Sequence, residues 1–218
     1  MDLLRINQQA REMDVYIYGD ITEYPWPDYG EASAASITDQ IRAADVDIIN
    51  VHVDSYGGSV KEGWGIYNAM ISHKARVRSY ADGFVASAAL YPYLAGDERH
   101  AGPLSAFFLH QVITGADGYA DDLRKAAAEA DALTDIGIQA FVARAGMTED
   151  KVRELMEAET WLTADQAKDY GIVTVRDEDA PPAPRRTQAA RESAINKIFA
   201  REATPEQKRT LWATLSKI

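Results

Sequence analysis

The chain has 218 residues, 46% of them hydrophobic, and contains no cysteine. That length allows one sizeable domain with its own core, and the missing cysteine excludes disulfides, cysteine-ligated zinc and a thiol nucleophile. Thirty-four acidic against 23 basic side chains give a net charge of −11, which disfavours the phosphate backbone of a nucleic acid as a partner.

No run of about 18 apolar residues is present, so no membrane span is expected. The opening MDLLRINQQAREMDVYIYG lacks the basic-then-apolar layout of a signal peptide, so a cytoplasmic location is expected. Residues 14–22, DVYIYGDIT, alternate like a short strand. EYPWPDYGE (23–31) is punctuated as a loop, and residues 33–45 carry a helical pattern, with Ser33 placed to cap it and Ile37 and Ile41 four apart. DIINVHVDS (47–55) is a nearly continuous apolar run, as in a strand buried on both faces. Gly57 and Gly58 end it, and residues 59–73 follow as a helix with Val60, Trp64, Tyr67 and Met70 on one side.

A strand is expected over 75–83, then an almost wholly apolar helix over 84–96 that Pro92 shortens or kinks, then a strand over 105–112. Alternation of β and α elements implies a mainly parallel, helix-covered sheet. The Gly-rich stretch 113–122 reads as a turn or flap. A long helix follows over 121–146 with Gly146 as its C-cap, then a helix over 147–159 with acidic residues in its first turn. Residues 161–178 hold a short helix capped by Thr163 and a closing strand IVTV. Domain boundaries are expected at 1–176, a proline- and charge-rich linker at 177–186, and a helical C-terminal tail at 187–218 with Ile195, Ile198 and Phe199 on one face.

Three sites could carry chemistry. The Gly57–Gly58 pair is either an ordinary strand-to-helix turn or two backbone amides aimed into a cleft, fit to hold an oxyanion. Neither GxGxxG nor GxxxxGK is present, so it is not a phosphate loop. Ser87 lies in VASAA without the flanking glycines of a GxSxG elbow, and alone it reads as a small helical serine. His110 closes a strand, with His52, His73 and His100 as competitors, and no histidine has metal-ligand spacing. The order is more telling than any one residue. In a parallel sheet the ends of successive strands share one edge, which can bring Gly58, Ser87 and His110 together.

These stretches, DSYGGSV (54–60), GFVASAA (83–89), FLHQ (108–111) and WLTADQAKDYGIV (161–173), resemble the Clp protease proteolytic subunit family over about residues 14–176. The resemblance implies the Clp/crotonase-like α/β fold, a superhelix of β-β-α units with residues 121–146 projecting as a handle helix that mediates subunit contacts. It implies a serine endopeptidase with Ser87 as nucleophile, His110 as general base and the amides of Gly58 and Ala88 as oxyanion hole. Glu159 stands where the family has the aspartate of the triad, with Glu157 as the alternative if the register slips. Peptide substrate would lie along Gly57, Gly58 and the flap around Gly115. No metal or organic cofactor is implied.

The chain departs from the family pattern in Tyr56 for proline, Ala88 for methionine, Ala89 for glycine and Val112 for proline. With the tail, this divergence resembles phage and prophage members that mature phage heads. Partners implied are a protein or peptide substrate, further copies of the chain in a homo-oligomeric ring, and an ATP-dependent unfoldase or phage capsid and scaffold proteins. Two other readings stay open: an acyl-thioester enzyme of the crotonase-like fold, and an inactive assembly subunit.

Overall fold

The computed structural model describes residues 4–7, 11–22 and 34–177. The expected loop at 23–31, the Ser33 cap, the linker beyond Asp177 and the helical tail lie outside the described residues. Strands β1 (Leu4–Asn7), β2 (Glu12–Tyr18), β3 (Ile48–Ser55), β4 (Arg76–Ala86), β5 (Glu98–Ala101) and β8 (Val175–Arg176) line up in the sheet order β1-β2-β3-β4-β5-β8. A branch carries β6 (Ala106–Leu109) beside β4, and β7 (Thr160–Thr163) beside β6. The pairs from β2 through β8 are parallel, as is β4 with β6, while β1 and β7 pair antiparallel. The sheet is therefore mainly parallel, as the alternation of elements implies. Strands β1, β5 and β7 are not foreseen in the sequence; β5 is only ERHA, too short and too polar to show a period.

How β4 changes partner decides where the site forms. Its first half pairs with β5 and its last residues pair with β6, with Ala86 opposite Phe108. Between the two, its register on β3 slips: Val53 faces Ala81 but Ser55 faces Val85. The extra residues bulge around Gly83, and the Asp54 carboxylate accepts a hydrogen bond from the Phe84 N–H at 3.0 Å. A bulge bends its strand and raises the local twist, and here it carries the end of β4 across to β6. The expected helix over 84–96 is correspondingly wrong. Residues 84–86 are strand, Ser87–Ala89 form a single 3-10 turn, and α3 is only Leu90–Leu94, with Pro92 within its first turn. An all-apolar run does not by itself separate a buried strand from a buried helix.

Helices α1 (Ala34–Ala43) and α2 (Val60–Ile71) join α3 in covering the sheet, burying Ile37, Ile41, Ile66, Met70, Leu90 and Leu94. The Ser59 hydroxyl caps α2 by accepting from the Glu62 N–H. The buried face of α2 is Glu62, Gly63, Ile66, Ala69 and Met70; of the residues expected together on one side, Trp64 and Tyr67 are only partly buried. Beyond the flap come α4 (Ala120–Ala145), α5 (Glu149–Glu157) and α6 (Ala164–Asp169). Gly146 ends α4 at φ +71, Thr148 caps α5, and Thr163 with Gln166 forms a capping box on α6. Within α4 only Thr134, Gly137, Ile138 and Phe141 are buried, so its first half, from Ala120 to Leu133, stands clear of the core.

Two arginines tie these helices to the sheet. Arg99, on β5 and only 4% exposed, donates to the carbonyls of Gly96, Arg144, Gly171 and Ile172. Arg144 donates to the carbonyls of Leu94, Ala95 and Gly96 and to the Asp97 carboxylate. Nearly all of these acceptors lie at the C-terminal ends of α3, α4 or α6, where helix carbonyls lack intrahelical partners and carry partial negative charge. On the sheet face away from these helices, Tyr16, His52, Tyr80 and His100 are neighbours across β2 to β5 and stack at centroid distances of 4.9, 4.8 and 4.8 Å. Among the described residues no helix is long and apolar enough to cross a membrane.

Arg99→Met removes four charge-assisted hydrogen bonds and strands buried carbonyls. It is expected to lower stability by about 3 kcal/mol or more, read as a fall in Tm of about 6–12 °C for a domain of this size.

Candidate active site

The bulge in β4 and the parallel register of β4 with β6 place Ser87 and His110. Since Ala86 faces Phe108, Ser87 leaves the end of β4 just as His110 leaves the end of β6. Ser87 Oγ and His110 Nε2 are 2.6 Å apart. The other three histidines are engaged elsewhere: His52 and His100 in the outer stack, against Asp82 and Asp177, and His73 on the Ala44 carbonyl. Only His110 meets the serine.

Ser87 has φ +53, a left-handed conformation rare for a residue with a side chain. The turn is thus a strand-to-helix elbow, although VASAA has no glycine on either side of the serine. The glycines that make room for it come from the neighbouring βα unit. A Cβ on Gly57 would stand 2.7 Å from both the Ala86 carbonyl oxygen and Ser87 Cβ, and 2.8 Å from the Ala88 nitrogen. A Cβ on Gly63 would stand 2.8 Å from the Ala88 carbonyl oxygen. Gly58 sits beside it at φ +135 in a bridge with Ile21. Its amide makes no hydrogen bond among the described residues, whereas the Gly57 amide is used by Ser55 Oγ. Ala88 follows the serine at the start of the 3-10 turn, where amides have no intrahelical acceptor.

Ser87, His110, Gly58 and Ala88 line one cavity of about 330 Å³. Its inner wall is apolar, from Leu90, Tyr91, Phe141 and Met156, and its outer wall aromatic, from Tyr56, Phe108 and Trp161. Val112, two residues past His110, is held by a hydrogen bond from its N–H to the hydroxyl of Thr134 on α4. Sequence reasoning missed this wall and Thr134. The outer-wall aromatics are scattered through three motifs, and only the register of Phe108 with Trp161 brings two of them side by side. Among the described residues no cluster of three or more metal-ligating side chains is found.

Two expected site residues stand differently. Gly115 lies in the exposed stretch 113–119 and is not part of the cavity lining, although Ile113 at the start of the same flap is. Glu159 is exposed, and no hydrogen bond or ion pair joins it to His110; Glu157 is exposed as well. The backbone nonetheless faces the right way. Leu109 pairs with Thr160 at the end of the β6–β7 ladder, so one further step of that antiparallel register sets Glu159 across from His110. Glu159 also has φ +48, one of three non-glycine residues at positive φ among the described ones, with Ser87 and Arg11.

A serine on a strand-to-helix elbow in contact with a histidine, in a mainly parallel sheet with an antiparallel β7 flank, fits the Clp type of α/β protein. The sequence matches the Clp protease family over residues 28–176, and the chain belongs to that family. The ATP-dependent Clp protease proteolytic subunit 3 of Rhizobium johnstonii is 30% identical over 166 residues, 75% of this chain and 83% of that protein. The ATP-dependent Clp protease proteolytic subunit of Bacteroides fragilis is 34% identical over 127 residues, 57% of this chain and 61% of that protein. The structure of a ClpP1 N165D mutant from Listeria monocytogenes is similar with a TM-score of 0.62 at 25% identity, over 75% of this chain and 90% of that one.

Because a side chain at residue 57 must push the elbow, Gly57→Ala is expected to destabilise the fold by about 1–3 kcal/mol in denaturant unfolding. Gly115→Ala, with no atom within 4 Å of the added methyl, should change it by less than about 0.5 kcal/mol.

Proposed function

We propose that the chain is a serine-type endopeptidase in which Ser87 attacks the peptide carbonyl and His110 is the general base. The observation that carries this is the 2.6 Å contact of Ser87 Oγ with His110 Nε2, at a serine held in a strained elbow inside a cavity. Strain of this kind collects at functional positions and costs about 1–3 kcal/mol that the surrounding fold must supply. The relatives named as proteolytic subunits support the same reading; none favours the acyl-thioester or inactive-subunit alternatives.

In the first step the Ser87 hydroxyl donates its proton to His110 Nε2 while Oγ bonds to the carbonyl carbon. The carbonyl oxygen takes the negative charge and accepts hydrogen bonds from the Gly58 and Ala88 amides, which are free for it and need not reorganise. The protonated imidazole then gives its proton to the leaving amine, and water repeats the sequence on the acyl-enzyme. The peptide backbone runs past Gly57 and Gly58, where the missing side chains permit close approach.

Glu159 is the acid of the proposed triad. The reading is supported by the β6–β7 ladder, which ends at Leu109 and Thr160 with His110 and Glu159 as the next residue on each strand. The strained φ of Glu159 is what turns the chain from α5 into β7 at that position. We further propose that the chain works in the cytoplasm as a subunit of a homo-oligomeric ring, with α4 as the contact helix, and that an ATP-driven unfoldase delivers its substrates. The names of the relatives support the last point, since they are subunits of ATP-dependent proteases. Processing of phage capsid or scaffold proteins is a narrower form of the proposal, resting on motif divergence at Tyr56, Ala88, Ala89 and Val112.

Ser87→Ala is expected to abolish both peptide cleavage and labelling by a fluorophosphonate; undiminished cleavage sinks the proposal. Glu159→Gln should lower kcat by about a hundredfold or more with little change in KM, because the imidazole loses its orienting charge. A kcat within threefold of the parent removes Glu159 from the triad.

A further inference from the structure

Where β4 leaves β5 for β6, a carboxylate on the sheet's outer face stands in for a strand. Val53 faces Ala81 and Ser55 faces Val85, so Asp54 alone stands opposite Asp82, Gly83 and Phe84. Its Oδ1 accepts from the Phe84 N–H at 3.0 Å, which a regular ladder would give to a backbone carbonyl. Gly83 leaves the room that this needs: a Cβ there would fall on the same oxygen and stand 2.8 Å from Asp54 Cγ. The backbone of Asp54 is held separately, its carbonyl accepting from the Gly19 N–H at 3.1 Å. Asp82, the other carboxylate at the bulge, is bound side chain to side chain, by the Tyr18 hydroxyl at 2.6 Å and His52 Nδ1 at 2.9 Å. Asp54 grips the bulge backbone itself.

We infer that Asp54 is a positioning residue for the acyl-transfer steps, acting through the β4 bulge on Ser87. The inference rests on the proposed peptidase activity and adds to it a residue outside the cavity. Beyond the clamp the register runs Phe84 with Ala106, Val85 with Phe107 and Ala86 with Phe108, and the next residue is Ser87. The clamp thus sits three residues before the nucleophile on extended chain. A strand advances about 3.3 Å per residue, so a bulge relaxed by one residue carries Ser87 out of its 2.6 Å contact with His110. The first half of β4 does not need the clamp, because β3 and β5 pair it on both sides. Asp54 is exposed, so what the bulge requires is an acceptor oxygen at this reach. Asparagine supplies one in the same place.

The test uses the full-length protein and a fluorogenic peptide. Asp54→Ala is expected to lower kcat at least about tenfold with KM within about twofold, since a misplacement of about 1 Å can cost a hundredfold in rate. Fluorophosphonate labelling of Ser87 should slow in parallel, and Asp54→Asn should return both to within about threefold of the parent. Arg76→Ala breaks an exposed ion pair with Glu98 at the start of the same strand and should leave kcat unchanged. Equal losses in Asp54→Asn and Asp54→Ala overturn the inference, as does a kcat in Asp54→Ala within about threefold of the parent. If Asp54→Ala does not fold, Asp54→Ser, with a shorter acceptor, takes its place under the same limits.

A second arm does not depend on cleavage. The His110 ring nitrogens are followed by nitrogen NMR in the parent, Asp54→Ala and Asp54→Asn. The Nε2 signal reports the Ser87 contact; it should move in Asp54→Ala and keep its place in Asp54→Asn. That result supports the positioning role even if the parent neither cleaves nor labels, an outcome that sinks the peptidase reading alone. An Nε2 signal that stays in place in Asp54→Ala overturns the inference even where fluorophosphonate labels Ser87.

Discussion

Everything at the site depends on one close approach, that of the Gly57 backbone to the Ser87 elbow. A strand that turns sharply into a helix leaves little space on its inner side, and the usual remedy is to place small residues next to the nucleophile. Here the relief comes from the adjacent βα unit. Gly57 and Gly63 present backbone where any side chain would meet residues 86–88. The elbow and the neighbouring turn therefore have to be correct together, and the same turn delivers the free Gly58 amide. Sterics, rather than hydrogen bonding, link the Gly57–Gly58 turn to Ser87.

The second constraint is the partner exchange of β4. A strand that continued beside β5 would deliver Ser87 to one place and His110 to another. The bulge around Gly83, held by Asp54, moves the strand onto β6 and closes the distance to 2.6 Å. At the far end of the sheet, Arg99 and Arg144 hold the carbonyl ends of three helices. The two ends of the molecule thus use opposite devices: free amides at the cleft, and fully occupied carbonyls behind it.

Much of this was legible from the residues. The strand over 48–55, α2 with its Ser59 start, the long α4 with Gly146, and the capped α6 follow from local rules that the structure keeps. The serine, the histidine and the glycine pair were legible by their order along the chain. What stayed hidden needed register. The apolar run 84–96 gave no sign that its first three residues were strand, because burial on all sides erases both the helical and the strand period. Nor could sequence show that Phe108 and Trp161 would converge, since their proximity is set by which strands pair. Glu159 is legible as a position but not as a contact; its backbone is set by the β7 register and its side chain is not set by anything near it.

The half-empty surface of α4 carries a consequence for the energetics of opening. From Ala120 to Leu133 the helix buries no side chain fully, a stretch of 14 residues, or about 21 Å of helix. Helices of that length are marginal in water without tertiary contacts. Thr134, at 3% exposure, is the first residue held by the core, and it also holds Val112 beside His110. Fraying can therefore run inward from Ala120 at little cost and stop at Thr134, so that amide exchange along one continuous helix would show two regimes, fast before this threonine and slow after it. Any contact that clamps the first half would raise the barrier to fraying next to the very residue that steadies the histidine's strand.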